Sequence, residues 1–223
     1  MITVHHLNNS RSQRVLWLLE ELGVPYEIRK YERNRKTMLA PPELREVHPL
    51  GKSPVITDGD VTVAESGAIL EYLVERYDDG RLAPARGTPE RLRWTYWMHF
   101  AEGSAMPPLL IKLICDKVAS APMPFFAKPI AKGLCEKVQA TLIDPNLKNA
   151  LDFIEDHLAK NAWFAGPDLS MADFQMSFAI EALLSRSGAG NRYPHIDAYH
   201  KRMRARPAYQ RAEAKGGPTL MAT

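Results

Sequence analysis

The chain has 223 residues, 45% of them hydrophobic, and a formal net charge of +3. That apolar content suffices for one large core or two modest ones, and so small a charge does not point to a nucleic-acid partner. No apolar run approaches the roughly 20 residues of a membrane-spanning helix, and the N-terminus lacks a basic segment, apolar core and cleavage site, so the expectation is a cytoplasmic protein with no membrane partner. Cys115 and Cys135 are the only cysteines; both fall in helical-looking sequence without C-x-x-C spacing and read as structural thiols of a reducing compartment.

In chain order, Ile2-Thr3-Val4-His5-His6-Leu7 reads as a strand, Asn8-Asn9-Ser10-Arg11 as a loop, and Val15 to Leu22 as a buried helix ended by Gly23 and Pro25. Tyr26 to Tyr31 alternates as a second strand. Ser53-Pro54-Val55 then opens a hairpin with its turn at Asp58-Gly59, proline belonging at a strand's first residue because it cannot donate to the ladder. Next comes Ala64-Glu65-Ser66-Gly67, where Ser66 precedes the helical run Ala68, Ile69, Tyr72, Leu73 and, with the free N–H groups there, forms a site for a carboxylate. Taken singly, these are a turn proline and an ordinary N-cap; their close linkage points to a peptide-binding edge beside an anion-binding helix start.

Helical periodicity stops at Asp78-Asp79-Gly80, and Thr88-Pro89-Glu90 reads as a strong helix start. Residues 91–118 form a long apolar-rich segment that Pro107-Pro108 kinks or divides, and 128–142, 146–160, 172–187 and 196–215 supply further helical patterns. Ser170-Met171-Ala172-Asp173 has the form of a capping box, with a structural role. The basic stretch 200–206 has no interleaved aromatics for base stacking and reads as a solvated helix face. No histidine pair has H-x-x-x-H spacing, and no metal site is expected.

The βαβ-then-ββα order is that of a thioredoxin-like domain. Asn9-Ser10-Arg11-Ser12-x-Arg14, His48-Pro49-Leu50-Gly51-Lys52-Ser53-Pro54-Val55, Ala64-Glu65-Ser66-Gly67-Ala68-Ile69 and the later Ser170–Asp173 motif follow one another as in cytosolic-type glutathione transferases, which the chain resembles over nearly its whole length. The resemblance implies an α+β thioredoxin-like domain at 1–80, a linker at 81–88 and an all-α domain at 89–223. It also implies a homodimer, glutathione as co-substrate, and a small electrophile to which glutathione is conjugated, or an organic peroxide reduced by the same thiolate. A binding, assembly or stress protein of the same architecture is the alternative, since fold does not determine function.

Carried over residue by residue, the resemblance implies a cis Ser53–Pro54 bond and a Val55 backbone that pairs with the cysteinyl residue of glutathione as an added strand. Ser66 then takes the γ-glutamyl carboxylate, Glu65 faces its ammonium, and Lys52 reaches the glycyl carboxylate. For the thiolate, the start of helix 1 offers its dipole and a hydroxyl. Ser10 aligns with the serine of serine-type transferases, because Arg14 stands where their arginine follows; Ser12 is the competitor, though helix N-cap is the commoner role, and Asn9 is a further donor. The loop has no tyrosine and no cysteine, which argues against tyrosine-type and disulfide-exchange classes. The electrophile pocket is expected between this loop and the first long helix of the second domain, along Tyr96, His99, Phe100, Gly103 and Met106. The same stripe also reads as core packing.

Overall fold

The computed structural model describes residues 1–34, 36–187 and 192–217. Strands β1 (Ile2–Leu7), β2 (Tyr26–Tyr31), β3 (Val55–Asp58) and β4 (Val61–Ala64) form one sheet in the order β2-β1-β3-β4. β1 and β2 run parallel because helix α1 (Ser12–Leu22) crosses between them, and the pairs β1/β3 and β3/β4 are antiparallel. A short α2 (Glu43–Val47) precedes β3, and α3 (Ser66–Tyr77) follows β4. This is the thioredoxin-like arrangement. The hairpin turn lies one residue later than the spacing predicts, at Gly59-Asp60: Asp58 already pairs with Val61, and Gly59 takes the positive φ of 60° that the tight turn requires.

The rest is helical: α4 (Pro89–Phe100), α5 (Met106–Ser120), α6 (Ala127–Val138), α7 (Asp144–Leu158), α8 (Met171–Arg186), α9 (Pro194–Arg204) and α10 (Pro207–Gly216). α4 runs into α5 through a π-helical turn at Ala101–Ala105, and α6 into α7 through another at Gln139–Ile143. Both turns stand just ahead of prolines. Pro107, Pro108 and Pro145 have no N–H for the carbonyls of Gly103, Ser104 and Thr141, and their rings press on those oxygens. The helix widens instead of breaking, with Met106 N–H donating to the Ala101 carbonyl and Asp144 N–H to that of Gln139. The periodic stretch 196–215, by contrast, splits into two helices. Arg206, preceding Pro207, is driven to an extended conformation with ψ 131°.

α8 is buried along most of its length and forms the spine of the helical part. Its start is held by Asp173, whose Oδ2 accepts from the Ser170 N–H at 2.8 Å and the Ser170 hydroxyl at 3.0 Å, while Oδ1 accepts from the Phe164 N–H at 2.9 Å. α1 lies between the sheet and the helices. Its Trp17 ring meets Phe174 of α8 at 4.3 Å and Tyr209 of α10 at 5.4 Å between centroids. α10 closes so tightly on this layer that a Cβ at Gly216 would lie 2.4 Å from Gln13 Oε1 and 2.6 Å from Leu16 Cδ1. No helix among the described residues is long and apolar enough to cross a membrane.

Candidate active site

Two cavities adjoin at the N-terminal end of α1. The first, of about 250 Å³, is lined by Arg11, His48, Leu50, Lys52, Ser53, Pro54, Ala64, Glu65, Ser66 and Glu102. The second, of about 440 Å³, is lined by Asn9, Arg11, Glu102, Met106, Pro107, Leu110, Leu113, Phe178 and Arg186. Arg11 and Glu102 belong to both, and the Arg11 Nε contacts the two Glu102 oxygens at 2.9 and 3.1 Å, so one ion pair stands where the cavities meet.

In the first cavity the Ser53–Pro54 peptide is cis. Ser53, Pro54, Glu65, Ser66 and Lys52 come together as its walls, but Val55 does not join them. Val55 is buried, and its backbone lies inside the sheet with His5 as partner on one side and Ala64 on the other. An added strand cannot pair with an internal position; Ser53, half-buried on the cavity wall and ahead of the ladder, has no strand partner. Glu65, not Ser66, occupies the N-cap of α3, with a φ of 71° that side chains rarely adopt, and Asn9 has a φ of 50°. Strained backbone at a non-glycine residue is a recurrent mark of functional sites.

Ser66 sits in the first turn of α3 and accepts a hydrogen bond at 3.0 Å from Nη1 of Arg14. Arg14 is fully buried, and the same nitrogen reaches Glu102 at 2.9 Å and Gln175 at 2.8 Å. Burial pushes the guanidinium down to about 10, so it stays charged at neutral pH. Burial also works against the charge of Glu102, but Arg14 and then Arg11 outweigh it and hold that carboxyl below its usual range. Because Arg14 occupies a lone pair of Ser66 Oγ, the serine's own proton is free for an acceptor in the cavity, beside the unpaired N–H groups of the helix start.

The hydroxyls at α1 are ordered by a relay. His6 Nε2 lies 2.8 Å from the carbonyl of Gly216, which only accepts, so Nε2 carries the hydrogen. Burial lowers the His6 pKa, the ring is neutral, and its bare Nδ1 accepts from Ser12 Oγ at 2.8 Å. Ser10 must then be the donor in its 2.7 Å contact with Ser12 Oγ, and Ser10 Oγ in turn accepts from the Ser12 N–H at 3.3 Å. Ser12 is therefore not an N-cap. It stands in the first turn of α1, wholly buried, with its proton committed to His6. Ser53 Oγ likewise donates to the His5 carbonyl at 2.8 Å.

Of the five residues expected to form an electrophile pocket, only Met106 lines the second cavity. Tyr96 and Phe100 stack on each other and turn to Trp97 and Phe153, while His99 and Gly103 are exposed. The π-helical turn is the reason. Its i→i+5 closure takes an extra residue into the turn and shifts the helix phase between α4 and α5, so a stripe with a 3.6-residue period cannot run through it, and the cavity is met by Glu102, Met106, Leu110 and Leu113 instead. Arg11, Glu102 and Phe178 were not foreseen; the signal for Glu102 was an acid in an otherwise apolar stretch shortly before two prolines.

A thioredoxin-like sheet joined to an all-helical domain, with a cis-proline loop, a serine-opened helix and a serine loop around one cleft, defines the glutathione-using two-domain proteins. Family models for the glutathione S-transferase N-terminal domain match residues 10–76, and for the C-terminal domain residues 114–207. The chain is 37% identical to glutathione S-transferase 3 of Schizosaccharomyces pombe, over 96% of this chain and 88% of that protein. It is 33% identical to glutathione S-transferase 1 of Saccharomyces cerevisiae, over 96% and 95%. A crystal structure of a glutathione S-transferase from Actinobacillus pleuropneumoniae superposes with a TM-score of 0.76 at 33% identity, covering 99% and 94% of the two chains. The chain belongs to the glutathione S-transferase family and is a glutathione transferase, with glutathione its co-substrate, which sets aside the non-catalytic reading.

Proposed function

We propose that the chain conjugates reduced glutathione to small, largely apolar electrophiles, with glutathione in the first cavity and the electrophile in the second. The observation that carries this is the Arg14-backed hydroxyl of Ser66 at a helix start, across one cavity from the Ser10 loop. Ser66 and the α3 N–H groups take the γ-glutamyl carboxylate, Glu65 its ammonium, the main chain at Ser53 the cysteinyl residue, and Lys52 the glycyl carboxylate. The sulfur then lies at the N-terminal end of α1 near Arg11. A thiolate is a stronger acceptor than the neutral Ser12 hydroxyl, so it draws the Ser10 proton out of the relay and onto itself. Lowering a thiol pKa by about two units takes about 2.7 kcal/mol, the size of one such bond plus a helix end.

We further infer a homodimer with its domains divided across residues 81–88, working in the cytoplasm, where the free thiols of Cys115 and Cys135 are at home. Calorimetric titration with reduced glutathione tests the central reading. Saturable binding is expected, and no heat of binding at millimolar glutathione refutes it.

A further inference from the structure

The second cavity has an unbalanced charge. Its wall is apolar, made of Met106, Leu110, Leu113 and Phe178, and its charged members are Arg11, Glu102 and Arg186. Glu102 answers Arg11 and also Arg14. Arg186, in the last turn of α8, has no hydrogen-bond or ion-pair partner among the described residues, and it is half-buried. A cation at a helix C-terminus is favoured by the carbonyl end of the dipole, which accounts for the charge but not for its place on the wall of an apolar cavity. A guanidinium there, offering a rigid fork of donors, is suited to a carboxylate.

We propose that the second substrate is an amphipathic electrophile that carries a carboxylate, and that Arg186 is the residue that binds it. This rests on glutathione occupying the adjoining cavity. Arg186 follows Phe178 by just over two turns of α8, about 12 Å along the axis, and Arg11 lies over the Phe178 ring at 5.2 Å. An aryl or alkyl spacer therefore lies over Phe178, Met106 and Leu110, its reactive carbon toward Arg11 and the sulfur, its carboxylate toward Arg186. With an aryl halide the glutathione thiolate forms the C–S bond, the C–halogen pair leaves with halide, and the thiol proton goes to solvent.

The test compares para-chloro-meta-nitrobenzoate with the corresponding benzamide, and the glutathione conjugates of both, on wild type, Arg186→Gln and Arg186→Lys. Two ratios are read: kcat/KM of acid over amide, and conjugate affinity of acid over amide by calorimetry. Taking ratios cancels the intrinsic reactivity of each halide and any general loss of folding. In Arg186→Gln both should fall about tenfold, as for a lost charge-assisted bond, with Arg186→Lys in between. Equal ratios in wild type and Arg186→Gln overturn the proposal, as does a wild type that binds the acid conjugate no better than the amide. If wild type binds neither conjugate nor glutathione, the glutathione reading itself fails and takes this one with it. If it binds glutathione but turns over neither halide, the conjugate affinities still decide.

Discussion

Arg14 Nη1 lies 3.0 Å from Ser66 Oγ, so a helix of the βαβ unit sets the proton direction of the serine that opens α3. Glu102 and Gln175 share that nitrogen, which ties the first cavity to the helical domain through one buried cation. Ser66→Ala should weaken glutathione binding by about 1.5 to 3 kcal/mol, the range for a hydrogen bond to a charged group. Calorimetry on the purified variant reads this directly, and an unchanged affinity places the carboxylate elsewhere.

Arg14→Met should cost more than binding. It leaves Glu102 with Arg11 and takes the donor from the buried Ser66 and Gln175 oxygens, Arg14 being the one side-chain partner of Ser66 Oγ among the described residues, so a stability loss of about 1 to 3 kcal/mol is expected in urea unfolding, as for buried acceptors left unpaired. A loss below about 1 kcal/mol would show that the network is bridged by water in solution.

The relay separates the two serines of α1. Ser10→Ala should raise the pKa of bound glutathione and cut turnover near neutral pH, with affinity little changed, because the peptide contacts proposed above lie at Ser53, Glu65 and Ser66. Ser12→Ala strands a buried His6 Nδ1 and should cost about 1 to 3 kcal/mol of stability while leaving the thiolate pKa near its wild-type value. Thiolate absorbance against pH in both variants checks this. If Ser12→Ala shifts the pKa and Ser10→Ala does not, the roles are reversed; if neither does, backbone amides and the helix dipole activate the sulfur alone.

Asp173 carries a pH dependence. Burial pushes its carboxyl from 3.8 up to about 6, in spite of the bonds it accepts from Phe164 and Ser170. Between those values the folded chain keeps a proton that the unfolded chain has released, so the contribution is fully present below about pH 4 and lost as pH rises through about 6. The stability of wild type minus that of Asp173→Asn should fall across this window by at most about 3 kcal/mol. Urea unfolding at closely spaced pH values measures it, and a flat difference would mean an unshifted carboxyl.

Light scattering should give about twice the chain mass of 25.1 kDa. Leu92, Tyr96 and Phe153 on α4 and α7 are large apolar side chains left exposed in the single chain, and a second copy is the expected cover. A monomer at micromolar concentration would contradict it.

Local chemistry made much of this protein legible in its sequence. β-Branched runs, the Ser53-Pro54 step, the Thr88-Pro89 start and the Ser170–Asp173 box each depend on neighbours within a few residues, and so did the motifs that carry the family resemblance. What depended on longer reach was decided only in three dimensions. The π-helical turn before Pro107 rotated the expected pocket stripe out of the cleft and brought in Glu102, because helix phase accumulates every local insertion. Val55 proved internal because β4 covers its far side. The direction of the Ser10 proton was set from Gly216, more than 200 positions away, through His6 and Ser12. Hydrogen-bond polarity passes through space along donors and acceptors that no sequence spacing connects, which is why the two serines of α1 look alike in the sequence and differ in the fold.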